Sequence, residues 1–319
     1  MKWSKLIFRL AVAVAVPAAA NHLLFRYHNK LAERERERDR VYHWRHGDIH
    51  YTKMGSGQPL LLIHDIYWGA SRWEWEKNVE SLSRRHTVYA LDLLGFGRSD
   101  KPGVTYSAYL YTSLINDFAR EVINASVSVA ASGYGAAYAV MAYQFQPRFY
   151  RKLLLIAPAG LTSFLPGVQA WSNLRPSCLG WVCRRLLETP VFGTALYNLF
   201  TSKPVLRYYA CRGFRQTRGI DQWVKHCSHM ARVGGANGKL PLAQWLDGGL
   251  EVDIREKLRR VEIPVALVWG DGNRWNPAAN ANALARQRPD IPLTVVENAG
   301  CVPHREKASV MNEIMSKFL

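Results

Sequence analysis

Short apolar runs alternate with helical stretches from residue 41 to the end of the chain, and this alternation constrains the fold more than any other feature. Apolar runs predict strands at 59–63, 86–92, 126–130, 152–157, 264–269 and 292–296. Helices are predicted over 106–123 and 135–145, and a hairpin over 41–53. Strands that alternate with helices predict an α/β fold, with a mostly parallel central sheet covered by helices on both faces.

Residues 161–249 interrupt this alternation. They contain four tryptophans, four of the five cysteines and many arginines, which favours a helical cap inserted over one end of the sheet. The predicted organisation is therefore an N-terminal segment over 1–40, a core formed by 41–160 and 250–319, and a cap over 161–249.

The N-terminal segment has the features of a membrane-targeting sequence. Lys2, Lys5 and Arg9 precede an apolar stretch that ends near Ala18 and Ala20. We interpret it as a retained signal anchor, with secretion after cleavage and a plain amphipathic helix as alternatives. The run of alternating charges that follows, 33–40, is predicted to be a solvated stalk.

The formal net charge of +17 favours an anionic membrane or wall surface as a partner. No nucleic-acid-binding module accompanies this charge, so nucleic acid is not expected. Five cysteines would leave at least one thiol unpaired after export, which favours the cytoplasmic face of a membrane.

Five sequence blocks in order resemble the α/β-hydrolase superfamily. They are Leu61-Leu-Ile-His64, the run 92–100 (Asp-Leu-Leu-Gly-Phe-Gly-Arg-Ser-Asp), the small-residue turn 131–136, Trp269-Gly270, and Ala299-Gly300 before Pro303-His304. The resemblance covers 41–319 and implies an α/β-hydrolase fold with a helical cap. It also implies hydrolysis of an ester, amide, epoxide or carbon–halogen bond, but a fold alone does not fix a function.

The three triad positions implied by this resemblance hold unusual residues. Gly133 stands at the nucleophile position of the strand-to-helix turn, and glycine has no side chain with which to attack. Asn273 stands at the acid position and Cys301 at the position of the general-base histidine.

The expected oxyanion region also departs from the family pattern, because His64 is followed by Asp65 rather than glycine. Together with Ile66 and Tyr134, these residues are predicted to line the pocket. A carboxylate near a developing oxyanion would repel it, unless Asp65 points away and serves only as a turn residue.

Two functions remain open from the sequence. The first is a membrane-associated, non-hydrolytic pseudoenzyme that binds a small apolar molecule or a partner. The alternative is an active hydrolase with a relocated nucleophile, Ser132 or Cys301, acting with His304. If neither acts, His304 is expected to be a surface or hinge histidine and Cys301 a small buried hydrophobic residue.

Neither a metal nor a cofactor is predicted. Cys211, His226, Cys227 and His229 match no paired ligand spacing. The glycine-rich run 234–239 lacks the spacing and the Ser/Thr of a phosphate-binding loop.

Overall fold

A computed structural model of the chain describes residues 2–33, 39–161 and 178–319. Within these ranges eight strands form one sheet: β1 Arg40–Trp44, β2 Gly47–Met54, β3 Gln58–Ile63, β4 His86–Leu91, β5 Val127–Ser132, β6 Tyr150–Ile156, β7 Val265–Gly270 and β8 Leu293–Val296. Their order is β1-β2-β4-β3-β5-β6-β7-β8. The β1–β2 and β2–β4 pairs are antiparallel and all other pairs are parallel. The predicted fold class, hairpin and strands are confirmed.

Helices lie before, between and after these strands. Those of the N-terminal segment and core are α1 Lys2–Glu33, α2 Glu76–Ser83, α3 Ala108–Phe118, α4 Gly133–Phe145, α10 Arg255–Arg259, α11 Ala279–Gln287, α12 Pro303–Glu306 and α13 Ala308–Phe318. The described part of the predicted cap is helical and contains α5 Cys178–Glu188, α6 Phe192–Phe200, α7 Lys203–Gly213, α8 Ile220–Met230 and α9 Leu240–Leu246. The cap residues 162–177 lie outside the described ranges.

Both faces of the sheet are buried, as the continuous apolar strands predict. Along β3, Leu61 and Ile63 pack into one apolar cluster, whereas Leu60 and Leu62 pack into the cluster on the opposite face. Because β3 and β5 are parallel neighbours, with Ile63 opposite Ala131, the loop after β3 and the turn after β5 meet at one edge of the sheet. Ligand sites of such sheets lie at this carboxyl edge.

The C-terminal half of α1 packs against the cap. Phe25 is buried, the Asn198 side chain donates to Asn21 Oδ1 (2.8 Å), and the Gly234 N–H donates to Asn29 Oδ1 (2.9 Å). In the part of the chain that the structure describes, no helix is long and apolar enough to cross a membrane.

The predicted solvated stalk is wrong for Asp39. This carboxylate is buried between the guanidinium groups of Arg72 and Arg98, and His50 Nδ1 lies 3.4 Å from its Oδ2. Burial alone would raise the pKa of Asp39, but His50 and the two arginines hold it below its usual value. The end of the N-terminal segment is therefore part of the core, and residues 34–38 lie outside the described ranges.

Candidate active site

The turn between β5 and α4 has the backbone geometry of a nucleophile elbow. Gly133 begins α4 with φ +50°, a left-handed conformation that is costly for any residue with a side chain. Gly135 lies close beneath the loop after β3, since a Cβ there would meet the His64 carbonyl oxygen at 2.4 Å. The small residues predicted around position 133 thus allow β3 and α4 to approach closely.

The Asp65 carboxylate accepts hydrogen bonds from two backbone N–H groups at this turn. Its Oδ1 lies 2.7 Å from the nitrogen of Ile66 and 2.7 Å from the nitrogen of Tyr134. Those two groups would form the oxyanion hole of a hydrolase whose nucleophile stood at position 133. Of the two orientations that the sequence leaves open for Asp65, the structure has the one that faces the site.

Asp65 also occupies the space of the missing side chain at position 133. A Cβ built on Gly133 would lie 2.0 Å from Asp65 Cγ and 2.0 to 2.1 Å from its two carboxylate oxygens. Burial raises the pKa of Asp65 to about 7, and the nearby Glu74 carboxylate acts in the same direction, against the two N–H donors.

Glu74, which no sequence motif indicates, lies beside this turn and connects two of the predicted site residues. Ser132 Oγ donates to Glu74 Oε1, and His304 Nε2 lies 3.0 Å from the same oxygen. Burial alone would raise the pKa of Glu74, but the hydrogen bonds from His304 and Ser132 hold it below its usual value. All three side chains are buried.

This arrangement is the wrong order for a catalytic triad. A triad places the histidine between the serine and the carboxylate, whereas here the carboxylate lies between Ser132 and His304. His304 is fully buried and stacks on Trp75 with ring centroids 4.3 Å apart, so the expectation of a surface or hinge histidine is wrong. Its Nδ1 has no hydrogen-bond partner, so His304 is not paired with the Cys301 thiol.

Cys301 and Asn273 maintain loop structure. The Cys301 N–H donates to the Gly213 carbonyl (2.9 Å), and burial raises the pKa of the Cys301 thiol well above its usual value. A thiol in this state is a poor nucleophile. Asn273 Oδ1 accepts from the N–H groups of Trp275 (3.1 Å) and Asn276 (3.0 Å), which is a turn interaction.

His64 has a similar structural role, because both of its ring nitrogens are occupied. Nδ1 donates to the Asp65 carbonyl at 2.6 Å, and Nε2 accepts from the Leu93 N–H at 3.0 Å. The histidine therefore holds the loop after β3 in the conformation that places the Asp65 carboxylate under α4.

Aromatic side chains join this edge of the core to the cap. The Trp245 Nε1–H donates to the Tyr134 hydroxyl (2.9 Å), connecting the elbow to α9. In the loop after β3, Tyr67 lies 5.6 Å from Trp223, and Trp68 stacks on Phe200 at 5.3 Å (ring centroids).

Over the described ranges, no group of three or more His, Cys, Asp or Glu side chains is arranged to hold a metal ion. His226 from the cap is hydrogen-bonded to Ser71 (2.9 Å) and stacks on Trp73.

Comparison with known proteins identifies the family. The alpha/beta hydrolase family model matches residues 60–313. The chain belongs to this family. A 2-hydroxy-6-oxo-6-(2'-aminophenyl)hexa-2,4-dienoic acid hydrolase from Metapseudomonas resinovorans is 30% identical over 240 residues, covering 73% of this chain and 74% of that protein. A soluble epoxide hydrolase from Corynebacterium sp. (strain C12) is 30% identical over 277 residues, covering 85% of this chain and 93% of that protein.

Solved structures share the fold at lower identity. A meta-cleavage product hydrolase from Pseudomonas fluorescens IP01 has a TM-score of 0.68 at 18% identity and covers 88% of this chain and 97% of that chain. A structure described as a bacterial membrane phospholipase A has a TM-score of 0.67 at 22% identity and covers 100% of this chain and 98% of that chain. The second match therefore extends over α1 as well as the α/β-hydrolase body.

The groups that would take part in hydrolysis at this α/β-hydrolase site already have partners within the protein. The two N–H groups that would stabilise an oxyanion hold the Asp65 carboxylate, and the buried histidine holds Glu74. A substrate carbonyl could reach the two N–H groups only if the Asp65 carboxylate moved out of the space above Gly133.

Proposed function

We propose that this chain is a non-hydrolytic member of the α/β-hydrolase family that binds a small apolar ligand in its capped site. The observation that carries the proposal is the position of Asp65, whose carboxylate occupies both the oxyanion hole and the space above Gly133. A carboxyl group at this point blocks the access of a substrate oxygen to the two N–H donors, and in its ionised form it also repels the charge that the hole normally stabilises, so it would raise the barrier to acyl transfer.

Proton transfer is the second weakness of a hydrolytic mechanism here. The only histidine that the relocated-nucleophile hypothesis offers, His304, is held by Glu74 and stacked on Trp75. Glu74 itself accepts from Ser132, but its lowered pKa makes it a weak general base. These contacts favour the non-hydrolytic interpretation over an active hydrolase.

The class of ligand is inferred from the aromatic side chains between the core and the cap. Tyr67 and Trp68 contact cap residues, and Trp245 of the cap donates to Tyr134; a site lined by such side chains favours apolar and aromatic molecules. Asp65 adds one polar group that can orient the ligand. An apolar molecule is therefore expected to bind without covalent change.

The test combines a turnover assay with a binding assay. A panel of p-nitrophenyl esters and epoxides is incubated with the wild type and with the Ser132→Ala and Cys301→Ala variants, with the Corynebacterium epoxide hydrolase as positive control. We expect rates equal to the protein-free background in all three. Turnover that disappears in one variant would instead establish a relocated nucleophile.

Binding is followed with N-phenyl-1-naphthylamine, a neutral apolar fluorophore. We expect saturable fluorescence enhancement that Trp68→Ala weakens by about tenfold, the effect of losing one large aromatic contact. Tyr109→Ala is the matched control, because Tyr109 is an exposed aromatic residue on α3. Equal binding by both variants would contradict a ligand site under the cap.

A second proposal concerns location: α1 attaches the protein to an anionic membrane surface. The basic residues at positions 2, 5 and 9 and the formal net charge of +17 support it, and so do the exposed apolar side chains Leu23 and Tyr27 on α1. Cleavage after Ala20 stays an alternative, since the hydrogen bonds of Asn21 and Asn29 with the cap would survive it. The free thiols Cys183, Cys211, Cys227 and Cys301 support the cytoplasmic face.

A further inference from the structure

Three neighbouring helices expose apolar stripes to solvent. Successive members of each stripe are three, four or seven positions apart, a spacing that places them on one face of their helix. The exposed side chains are Val16, Leu23 and Tyr27 on α1, Leu179, Val182 and Leu186 on α5, and Phe192 and Leu199 on α6. We call the five on α5 and α6 the cap stripe. Exposed apolar surface of this extent usually marks an interaction site.

The stripes lie on helices that pack together. The Asn21 side chain of α1 donates to the Val191 carbonyl at the start of α6 (3.5 Å) and accepts from Asn198 within α6. Helix α5 packs directly against α6. The N-terminal helix and the cap stripe therefore belong to one group of helices on the outside of the molecule.

The charge of the cap favours one kind of partner. Residues 178–249 contain ten Lys and Arg, of which Arg232 and Lys239 are buried, but three Asp and Glu. Arg185 lies over the ring of the exposed Trp181, 5.6 Å from its centroid. Tryptophan beside arginine on an amphipathic helix is typical of surfaces that lie in the headgroup region of an anionic bilayer. A second copy of the chain would bring like charges together and is disfavoured.

We infer that the cap stripe is a membrane-binding face that inserts its apolar side chains into an anionic phospholipid surface beside α1. This inference rests on the proposed attachment through α1, and adds that the cap itself contacts the lipid. The five side chains of the cap stripe supply the apolar contact, and the surrounding arginines and lysines supply the attraction to phosphate headgroups.

The test measures co-sedimentation of the full chain with phosphatidylcholine vesicles that contain or lack phosphatidylglycerol. In the test variant, Leu186→Gln and Phe192→Gln remove two members of the cap stripe. In the matched control, Tyr109→Gln and Phe145→Gln remove an aromatic pair from the surface of the α/β body, away from the cap. The exposed fractions are similar: 66% for Tyr109 and 58% for Phe145, against 55% for Leu186 and 64% for Phe192. Circular dichroism verifies that both variants are folded.

We expect salt-sensitive binding to the anionic vesicles, reduced about tenfold or more by the cap substitutions and unchanged by the control pair. A third variant reverses the charge at Lys2, Lys5 and Arg9. If the charge-reversal variant loses vesicle binding while the cap variant binds normally, the cap inference is wrong and attachment through α1 alone is supported. No binding by the wild type would overturn both. If the cap substitutions leave vesicle binding unchanged but dissociate a dimer that light scattering detects for the wild type, the cap stripe binds a second copy of the chain and the cap inference is wrong.

Discussion

The position of the Asp65 carboxyl group above Gly133 predicts an energetic coupling between the two residues. Gly133→Ser adds a Cβ where Asp65 Cγ lies 2.0 Å away, so the carboxyl group must leave its two N–H donors. Asp65→Gly, the residue that the family resemblance implies at this position, removes the obstacle. The double variant should therefore be more stable than the sum of the single effects allows.

The magnitude follows from two contributions. A side chain at φ +50° costs about 1–3 kcal/mol wherever it is placed, so this cost is present in Gly133→Ser with or without Asp65. Displacing the carboxyl group from its two N–H donors costs about a further 2 kcal/mol, and Asp65→Gly loses the same two hydrogen bonds on its own, so the double variant suffers this loss once rather than twice. We expect Gly133→Ser alone to lower the free energy of unfolding by about 4 kcal/mol, Asp65→Gly alone by about 2 kcal/mol, and the double variant by about 4 kcal/mol rather than the additive value of about 6 kcal/mol.

Urea unfolding of the wild type, both single variants and the double variant at neutral pH measures this coupling. Gly219→Ser is the control: Gly219 also has a positive φ of +91°, but a Cβ there meets nothing within 4 Å. Its effect should be additive with Asp65→Gly. If Gly133→Ser and Asp65→Gly are also additive within about 0.5 kcal/mol, the carboxyl group does not occupy the space above Gly133 and the reasoning is refuted. Gly133→Ser should gain no esterase activity, because Cys301 provides no base.

Two further predictions concern buried carboxyl groups. Asp39→Asn should lower the free energy of unfolding in urea by about 3 kcal/mol, because Arg72 and Arg98 lose a buried partner. As a control, Asp290→Asn at the exposed ion pair with Arg288 should have little effect. Equal effects at both positions would mean that Asp39 is solvated, as the stalk interpretation predicts. Because its pKa is raised to about 7, the Asp65 carboxyl group holds its proton more tightly in the folded state than in the unfolded chain. The stability that this tighter proton binding provides is complete below about pH 4 and is lost as the pH rises through about 7. Between about pH 5 and about pH 7 the wild type should lose up to about 1.4 kcal/mol per pH unit relative to Asp65→Asn, whereas parallel stability curves would contradict the raised pKa.

The sequence predicts the sheet well because the signal for it is local. Each buried strand carries its own apolar run, and the β3 and β5 runs predicted at 59–63 and 126–130 differ from the observed strands by no more than two residues at either end. The glycine at position 133 is equally local, since glycine adopts the positive φ of a sharp strand-to-helix turn without strain. These features could therefore be predicted without tertiary information.

The contents of the site could not be predicted in the same way, because they depend on contacts between distant parts of the chain. Glu74 contacts Ser132, which is 58 positions away in the sequence, and His304, which is 230 positions away. The neighbouring residues Trp73 and Trp75 do not indicate that the Glu74 carboxylate is buried. Asp39 belongs to a run of alternating charges that is typical of a solvated segment. Its burial depends on Arg72 and Arg98, which the fold brings to it.

Glu74 and Asp65 are electrostatically coupled. Ser132 and His304 donate to Glu74 and favour its ionised form, and the resulting charge helps to raise the pKa of Asp65 to about 7. The Asp65 carboxyl group in turn satisfies the two N–H groups that a hydrolase leaves available for a transient oxyanion. A catalytic site keeps such groups unsatisfied until the transition state forms, at a cost to stability. Here Asp65 already satisfies both N–H donors, and this difference from a catalytic site is what supports the proposed non-hydrolytic function.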